Sequence, residues 1–381
     1  MGVGKTRGVT TAAVVFGGPS PEHDISVLTG LQAAHALVVA GGAPSAIYWS
    51  KAGDFYAVSP TLEAAAFADG VPPKSEPLEL VAGPGGGFVR AGTRFAKRTT
   101  LPVSTVVNAC HGGPGEDGTL QAALDLAGVP YTGPSAAGAA LGMDKLAFAG
   151  IVAGAGLTGL PRHAFTADGP HGSAPAFSGP YIVKPRFGGS SIGIEIIDDM
   201  TVAHALVRSS PLYRDGALVE PFLPDAIDLN ISVRTFPQLA LSPIERPIRR
   251  DQGGRIYTYA EKYLAGGEGL ASAPRELPAQ LDAPIEGLIR AAATRIADVA
   301  LVRGVARIDF LMAGSELYVN EINTIPGALS WYLWAAGGVP FPTLLDDLIA
   351  EATARSGRSW STQGADGSAL RAAGSIAGKL A

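Results

Sequence analysis

Two neighbouring apolar stretches near the C-terminal end carry three oxygen ligands between them, and few folds accommodate that arrangement. Ala306-Arg-Ile-Asp-Phe-Leu311 reads as a strand with Asp309 inside it. Glu316-Leu-Tyr-Val-Asn320 reads as a second strand that runs directly into Glu321 and Asn323. Residues two apart on a strand share a face, so Glu321 and Asn323 can converge with Asp309 on one hard cation. Mg2+ takes a few oxygens from protein and the rest from water and phosphates, which suits this set to a nucleotide–Mg2+ site. Arg307 sits two residues before Asp309. Two amphipathic strands with solvated charges would carry the same residues, and the rest of the chain has to decide between the readings.

At 381 residues the chain exceeds one ordinary core. We expect lobes at 1–135, 136–225 and 226–355, with a weakly packed Ser-, Gly- and Ala-rich tail at 356–381. A composition 47% hydrophobic and 17% charged excludes a disordered chain. The net charge of −5 offers no electrostatic footprint for nucleic acid. A single cysteine, Cys110, excludes an intrachain disulfide framework and fits a cytoplasmic protein. No run reaches about 18 uninterrupted apolar residues, so no membrane partner is expected. Lys5 and Arg7 before Val9–Phe16 imitate a signal peptide, but the apolar part is too short. Met1-Gly2 with Thr6 matches a myristoylation pattern that recurs by chance. Gly4-Lys5-Thr6 lacks the earlier glycine and the strand of a P-loop.

Thr11–Phe16 reads as a buried strand ending in a glycine turn, followed by a helix from about Ile25 to Ala40. Ala46–Trp49 and Val103–Ala109 read as parallel neighbours, so the first lobe is an open α/β sheet, with residues 54–100 as an elaboration on it. A single helix is expected over Met143–Gly156, strands over Tyr181–Lys184, Ile194–Ile197 and Ala217–Phe222, and a helix from about Pro284 to Leu301.

Gly188-Gly-Ser-Ser-Ile-Gly193 lies between two of these strands. Its glycines let backbone N–H groups approach a phosphate, with Ser190 and Ser191 as further donors; an ordinary glycine hairpin would look the same. Gly189-Ser-Ser-Ile-Gly193 also fits the hydrolase pattern G-x-S-x-G, which requires a helix where Ile194–Ile197 reads as strand. Lys184 ends a strand beside this loop and Lys145 opens a helix; as a pair they can neutralise a triphosphate. Glu220 ends a strand, where a carboxylate could accept from an adenine amino group. The loop Ala109–Gly118 holds His111 and two acids at the end of a parallel strand, where α/β folds bind ligands; His111 is equally readable as a structural loop histidine.

Together these pieces resemble the D-alanine–D-alanine ligase family of the ATP-grasp superfamily. The matching stretches are Gly17–Ser26, His111–Gly118 with Gln121, Tyr131–Gly133, Met143–Lys145, Lys184–Gly193, Tyr259–Tyr263, Arg307–Asp309 and Glu321–Gly327, in the family's order. The resemblance implies an α/β chain with an ATP-grasp fold behind an N-terminal Rossmann-like open parallel sheet lobe. It implies condensation of two amino acids, D-alanine by default, through an acyl phosphate, with ATP consumed. ATP would be held by Lys145, Lys184, Gly189, Ser191 and Lys262, its adenine by Glu220, Phe222 and Leu223, and its ribose near Asp228, where Pro224–Asn230 departs from the family pattern. Asp309, Glu321 and Asn323 would bind two Mg2+ ions, with Mn2+ as a substitute. Glu22, Ser190 and Tyr263 would fix the binding geometry, Glu22 taking the first substrate's ammonium with His111 nearby. Arg307 and the Gly327 N–H would stabilise the oxyanion. Lys262 lies on a lid, and Lys262-Tyr263 goes with an amine acceptor. A homodimer is implied.

After Pro326-Gly327 the chain departs from the family. Ala328-Leu-Ser-Trp-Tyr332 is shorter than the loop that grips the second substrate's carboxylate. Ser330 replaces the usual serine, or Trp331 and Tyr332 reshape the pocket; a deletion without functional consequence would look the same. Alternatives are therefore a ligase using another acceptor, or a non-catalytic ATP-binding homologue, against which the complete ligand set speaks.

Overall fold

The computed structural model describes residues 12–90, 98–168, 174–248, 274–355 and 360–379. The apolar run Ala12–Gly17 forms β1, buried along its whole length because it lies inside a seven-stranded sheet. β2 (Ser45–Trp49) and β7 (Thr105–Asn108) flank it in parallel, as expected. Residues 54–100 contribute β3 (Phe55–Val58), β4 (Glu76–Val81), β5 (Gly87–Arg90) and β6 (Thr99–Thr100), which extend the sheet antiparallel in the order β6-β5-β4-β3-β2-β1-β7. Gly17 closes β1 at φ +92°, and a Cβ there would lie 2.2 Å from the Trp49 carbonyl oxygen, so only glycine fits. Ser26 Oγ accepts from the Gly17 N–H at 2.7 Å and donates to the Ala109 carbonyl at 2.9 Å, tying together the ends of β1 and β7.

The helix His23–Val39 is apolar nearly all round, and the fold explains why. One side packs on the sheet through Phe16 and Val14; another meets Leu329, Trp334 and the helix Phe341–Ala354. The last helix of the third lobe therefore shares the first lobe's core.

β8 (His163–Phe165), β9 (Tyr181–Pro185), β10 (Glu195–Ile197) and β11 (Ala217–Pro221) make an antiparallel sheet in the order β10-β9-β11-β8. β12 (Ile227–Arg234) and β13 (Ala240–Leu241) join β16 (Val305–Ala313) and β17 (Glu316–Asn323) in another. β14 (Arg246–Pro247) and β15 (Arg275–Glu276) form a short ribbon beside it.

The single helix expected over Met143–Gly156 is instead two, Ala136–Met143 and Lys145–Gly154, bent by 97°. The break falls at Asp144, whose carboxylate accepts from the Leu146 and Ala147 N–H groups and starts a new helix. Phe148 and Val152 of that helix pack with Leu229, Ile231 and Ile308 under the third sheet. Among the described residues no single helix is long and apolar enough to cross a membrane.

Candidate active site

One cleft gathers residues from the segments at the ends of β1 and β7 and from the strands and loops of the two four-stranded sheets. Glu22, His111, Lys145, Lys184, Gly189, Ser190, Ser191, Glu220, Phe222, Leu223, Asp228, Arg307, Asp309, Glu321, Asn323, Gly327 and Tyr332 line it. Ser330 does not, and Lys262 and Tyr263 lie outside the described residues.

The oxygen ligands form part of a row across the third sheet. Asp309 on β16 is paired directly with Glu321 on β17 and with Asn230 on β12, and Asn230 with Glu245. Directly opposed residues share a face, so all four side chains are on one side of the sheet. Arg307 clamps Asp309 with its fork, Nε at 2.6 Å from Oδ1 and Nη2 at 2.7 Å from Oδ2, and Asn323 Nδ2 adds a bond of 3.0 Å. Burial works against the Arg307 charge, but Asp309 outweighs it and raises its pKa. Two carboxylates facing each other across a strand pair repel unless a cation lies between them. This donor set, two carboxylates and an amide oxygen, fits a hard divalent ion.

Behind the row is a buried ion cluster. Glu220 takes Arg162 Nε at 2.6 Å on one oxygen and Lys184 Nζ at 2.7 Å on the other. Burial disfavours its charge, yet Lys184 and Arg162 hold the carboxyl below the usual range. Glu220 thus braces Lys184 rather than facing the cleft alone. Lys145 Nζ donates to the Gly188 carbonyl; burial lowers its pKa against the pull of Glu321. The loop 188–193 links β9 to the antiparallel β10, with Ser190 at φ +53° and Ser191 at φ +59°. No helix follows it, so the hydrolase elbow is excluded.

Ser190 Oγ donates to the Glu22 carboxylate, joining the first lobe to this loop. Gly112 supports the contact at φ +63°, where a Cβ would sit 2.6 Å from Glu22 Oε2. Glu116 lies behind, accepting from the Gly112 and Ile325 N–H groups at 2.9 and 3.0 Å. Burial, then the neighbouring Glu22 charge, pushes its carboxyl up to about 7.

His111 is held at both nitrogens. The Ile325 carbonyl can only accept, so Nδ1 carries the proton and donates at 2.8 Å. Nε2 therefore accepts from Thr29 Oγ1 at 2.8 Å, and Thr29 Oγ1 accepts from the Ala328 N–H at 3.0 Å. Burial lowers the His111 pKa to about 4, with Arg307 adding to it, so the ring is neutral near pH 7. Its placement supports the loop reading: it anchors the turn after Ile325.

That turn differs from the expectation for Ser330. Ala328, Leu329 and Ser330 all have left-handed φ, +52°, +49° and +53°. The shortened connection can reach the following helix Trp331–Ala336 only by this tight reversal, which buries Ser330 completely and leaves its hydroxyl without a partner among the described residues. Tyr332 enters the cleft instead. Its hydroxyl donates to Glu245 Oε2 at 3.1 Å, while Arg275 lies over its ring at 4.3 Å and reaches Glu245 Oε1 at 2.9 Å.

Arg162, Glu116, Glu245, Asn230 and Arg275 escape sequence reasoning. Only Glu116 had a signal, its place in the glycine-rich loop after β7.

The fold and cleft are those of the ATP-grasp class, and comparison with known proteins agrees. The family models described as the D-ala D-ala ligase N-terminus and C-terminus match residues 11–134 and 164–350. A D-alanine–D-alanine ligase of Bradyrhizobium sp. (strain ORS 278) is 31% identical over 358 residues, covering 91% of this chain and 96% of the relative. One of Mycolicibacterium vanbaalenii is 33% identical, covering 90% and 97%. The structure of the D-alanine-D-alanine ligase from Coxiella burnetii superposes with a TM-score of 0.72 at 22% identity, covering 91% of this chain and 95% of that one. The chain belongs to the D-alanine–D-alanine ligase family.

Proposed function

We propose that the chain is an ATP-dependent carboxylate–amine ligase that joins two D-alanine molecules into D-alanyl-D-alanine, a step of peptidoglycan precursor synthesis, releasing ADP and phosphate. The observation that carries this is the convergence in one cleft of Lys145, Lys184, the loop 188–193 and the row from Glu321 to Asp309, with Arg307 beside it. Lys145 and Lys184 with the loop N–H groups would hold the phosphates of ATP, and Phe222, Leu223 and Asp228 the nucleoside. Asp309, Glu321 and Asn323 would hold two Mg2+ ions, which when bound offset phosphate charge.

The first D-alanine, its ammonium on Glu22, attacks the γ-phosphorus through its carboxylate and displaces ADP. A carboxylate alone is too poor an electrophile; the acyl phosphate is not. The second amine, deprotonated, attacks the acyl carbon, and phosphate departs. Arg307 and the Gly327 N–H would meet the oxyanion. In this reading Lys262 and Tyr263 complete the closure that keeps water from the acyl phosphate, and the enzyme works as a homodimer in the cytoplasm.

The test is ADP release with Mg2+–ATP and D-alanine, with product mass read in parallel. ADP together with the dipeptide mass supports the reading, and ATP binding with no turnover on any amino acid sinks it. A second reading is favoured by the left-handed turn that removes Ser330 from the cleft: the same activation chemistry serving another acceptor. It predicts ADP release that D-alanine alone does not elicit.

A further inference from the structure

The acceptor amino acid brings a second carboxylate into the cleft, and a carboxylate taken out of water needs a cation or several donors. Ser330, on the loop expected to supply them, is buried outside the cleft. Among the described residues the cations lining the cleft are Lys145, Lys184, Arg307 and Arg275. Lys145 faces Gly188, Lys184 faces Glu220 and the fork of Arg307 grips Asp309. These three belong to the phosphate and metal end. Arg275 belongs to the Tyr332 end.

We propose that Arg275 is the residue that reads the acceptor's carboxylate, with Glu245 and Tyr332 as its positioning residues; this rests on the ligase reading above. The guanidinium is fixed from two directions: it lies over the Tyr332 ring at 4.3 Å and pairs with Glu245 Oε1 at 2.9 Å. Glu245 is itself held through Oε2 by the Tyr332 hydroxyl at 3.1 Å and by Asn230 Nδ2 at 3.2 Å. Asn230 is the strand partner of Asp309, so the network joins the acceptor end to the reaction centre in one rigid row. A guanidinium held over an aromatic face brings a carboxylate a fixed positive charge with directional N–H donors, which a serine hydroxyl lacks. The shortened loop thus exchanges a hydroxyl reader for a guanidinium one, and the acceptor class it fits is a small α-amino acid with its carboxylate intact.

The experiment separates activation from acceptor capture. Hydroxylamine traps the acyl phosphate as a hydroxamate and carries no carboxylate; D-alaninamide can act only as acceptor. The intact protein is expected to use D-alanine over D-alaninamide as acceptor by about tenfold or more, the effect of losing a hydrogen bond between charged groups. Arg275→Met is expected to erase that preference while hydroxamate formation stays within about twofold. Arg275→Lys, which keeps the charge without the fork, should fall between. Equal use of the two acceptors by the unmodified protein overturns the proposal without any variant. So does an Arg275→Met protein that loses hydroxamate and dipeptide formation in equal measure, since that marks a structural role. Absence of hydroxamate from the unmodified protein would instead remove the ligase reading, and the proposal with it.

Discussion

The Thr29 hydroxyl is a single atom on which the geometry of the acceptor turn depends. It accepts the Ala328 N–H and donates to His111 Nε2, and Thr29 is 1% exposed. Thr29→Val keeps the shape of the side chain and removes both bonds. Each stranded buried group costs ~1–3 kcal/mol, so the substitution is worth roughly 2–6 kcal/mol before relaxation. The turn it anchors has three consecutive left-handed residues, Ala328 to Ser330. At ~1–2 kcal/mol each these hold about 3–6 kcal/mol of backbone strain. Anchor and strain are of similar size, so the turn should relax when the anchor is lost. We expect a thermal midpoint lower by at least about 2 °C for a chain of 381 residues. The half-saturating concentration of acceptor should rise by about tenfold or more, with hydroxamate formation retained. Circular dichroism melts and ADP release against D-alanine concentration read both. An unchanged midpoint together with unchanged acceptor saturation would refute the idea that this bond restrains the turn.

Glu220→Gln leaves Arg162 and Lys184 side by side without their shared carboxylate; we expect a loss of ~3–5 kcal/mol in stability and weaker ATP binding by calorimetry, and parental values for both would contradict the bracing role. Glu321→Gln should raise the Mg2+ concentration needed for half-maximal ADP release by more than about tenfold, and an unshifted titration would remove Glu321 from the ion site. Glu116 and His111 make opposing contributions to pH dependence. Glu116, raised to about 7 from 4.5, stabilises fully below about 4.5 and loses that contribution as pH rises through about 7. His111, lowered to about 4 from 6.5, contributes more as pH climbs from about 4 through 6.5. Glu116→Gln should therefore steepen the rise of melting temperature with pH between about 4.5 and 6.5, and parallel profiles would argue against a proton held on Glu116.

What could be read from the sequence was what short-range geometry determines. Alternation along a strand places Glu321 and Asn323 on one face, the buried run Ala12–Gly17 has to be an inner strand, and a glycine loop between two strands cannot be a nucleophile elbow. Asp144 is a local helix-cap residue, and the structure breaks the apolar helical run at that residue. The antiparallel extension through β3 to β6 was hidden because Pro and Gly interrupt its alternation.

Tertiary structure alone decided which distant residues meet. Arg162 closes on Glu220 from 58 positions away, Thr29 on Ala328 from 299, and Arg275 reaches Glu245 from the neighbouring strand of a short ribbon. None of these pairings leaves a periodicity in the sequence, because each is set by how sheets and helices pack. Ser330 shows the same limit at a single residue. Its hydroxyl suits a substrate contact, but three left-handed backbone conformations turn it into the core and bring Tyr332 to the cleft. Sequence determines which chemical groups are present and which face of a strand they occupy; the path of the backbone between elements determines which of them reach the substrate.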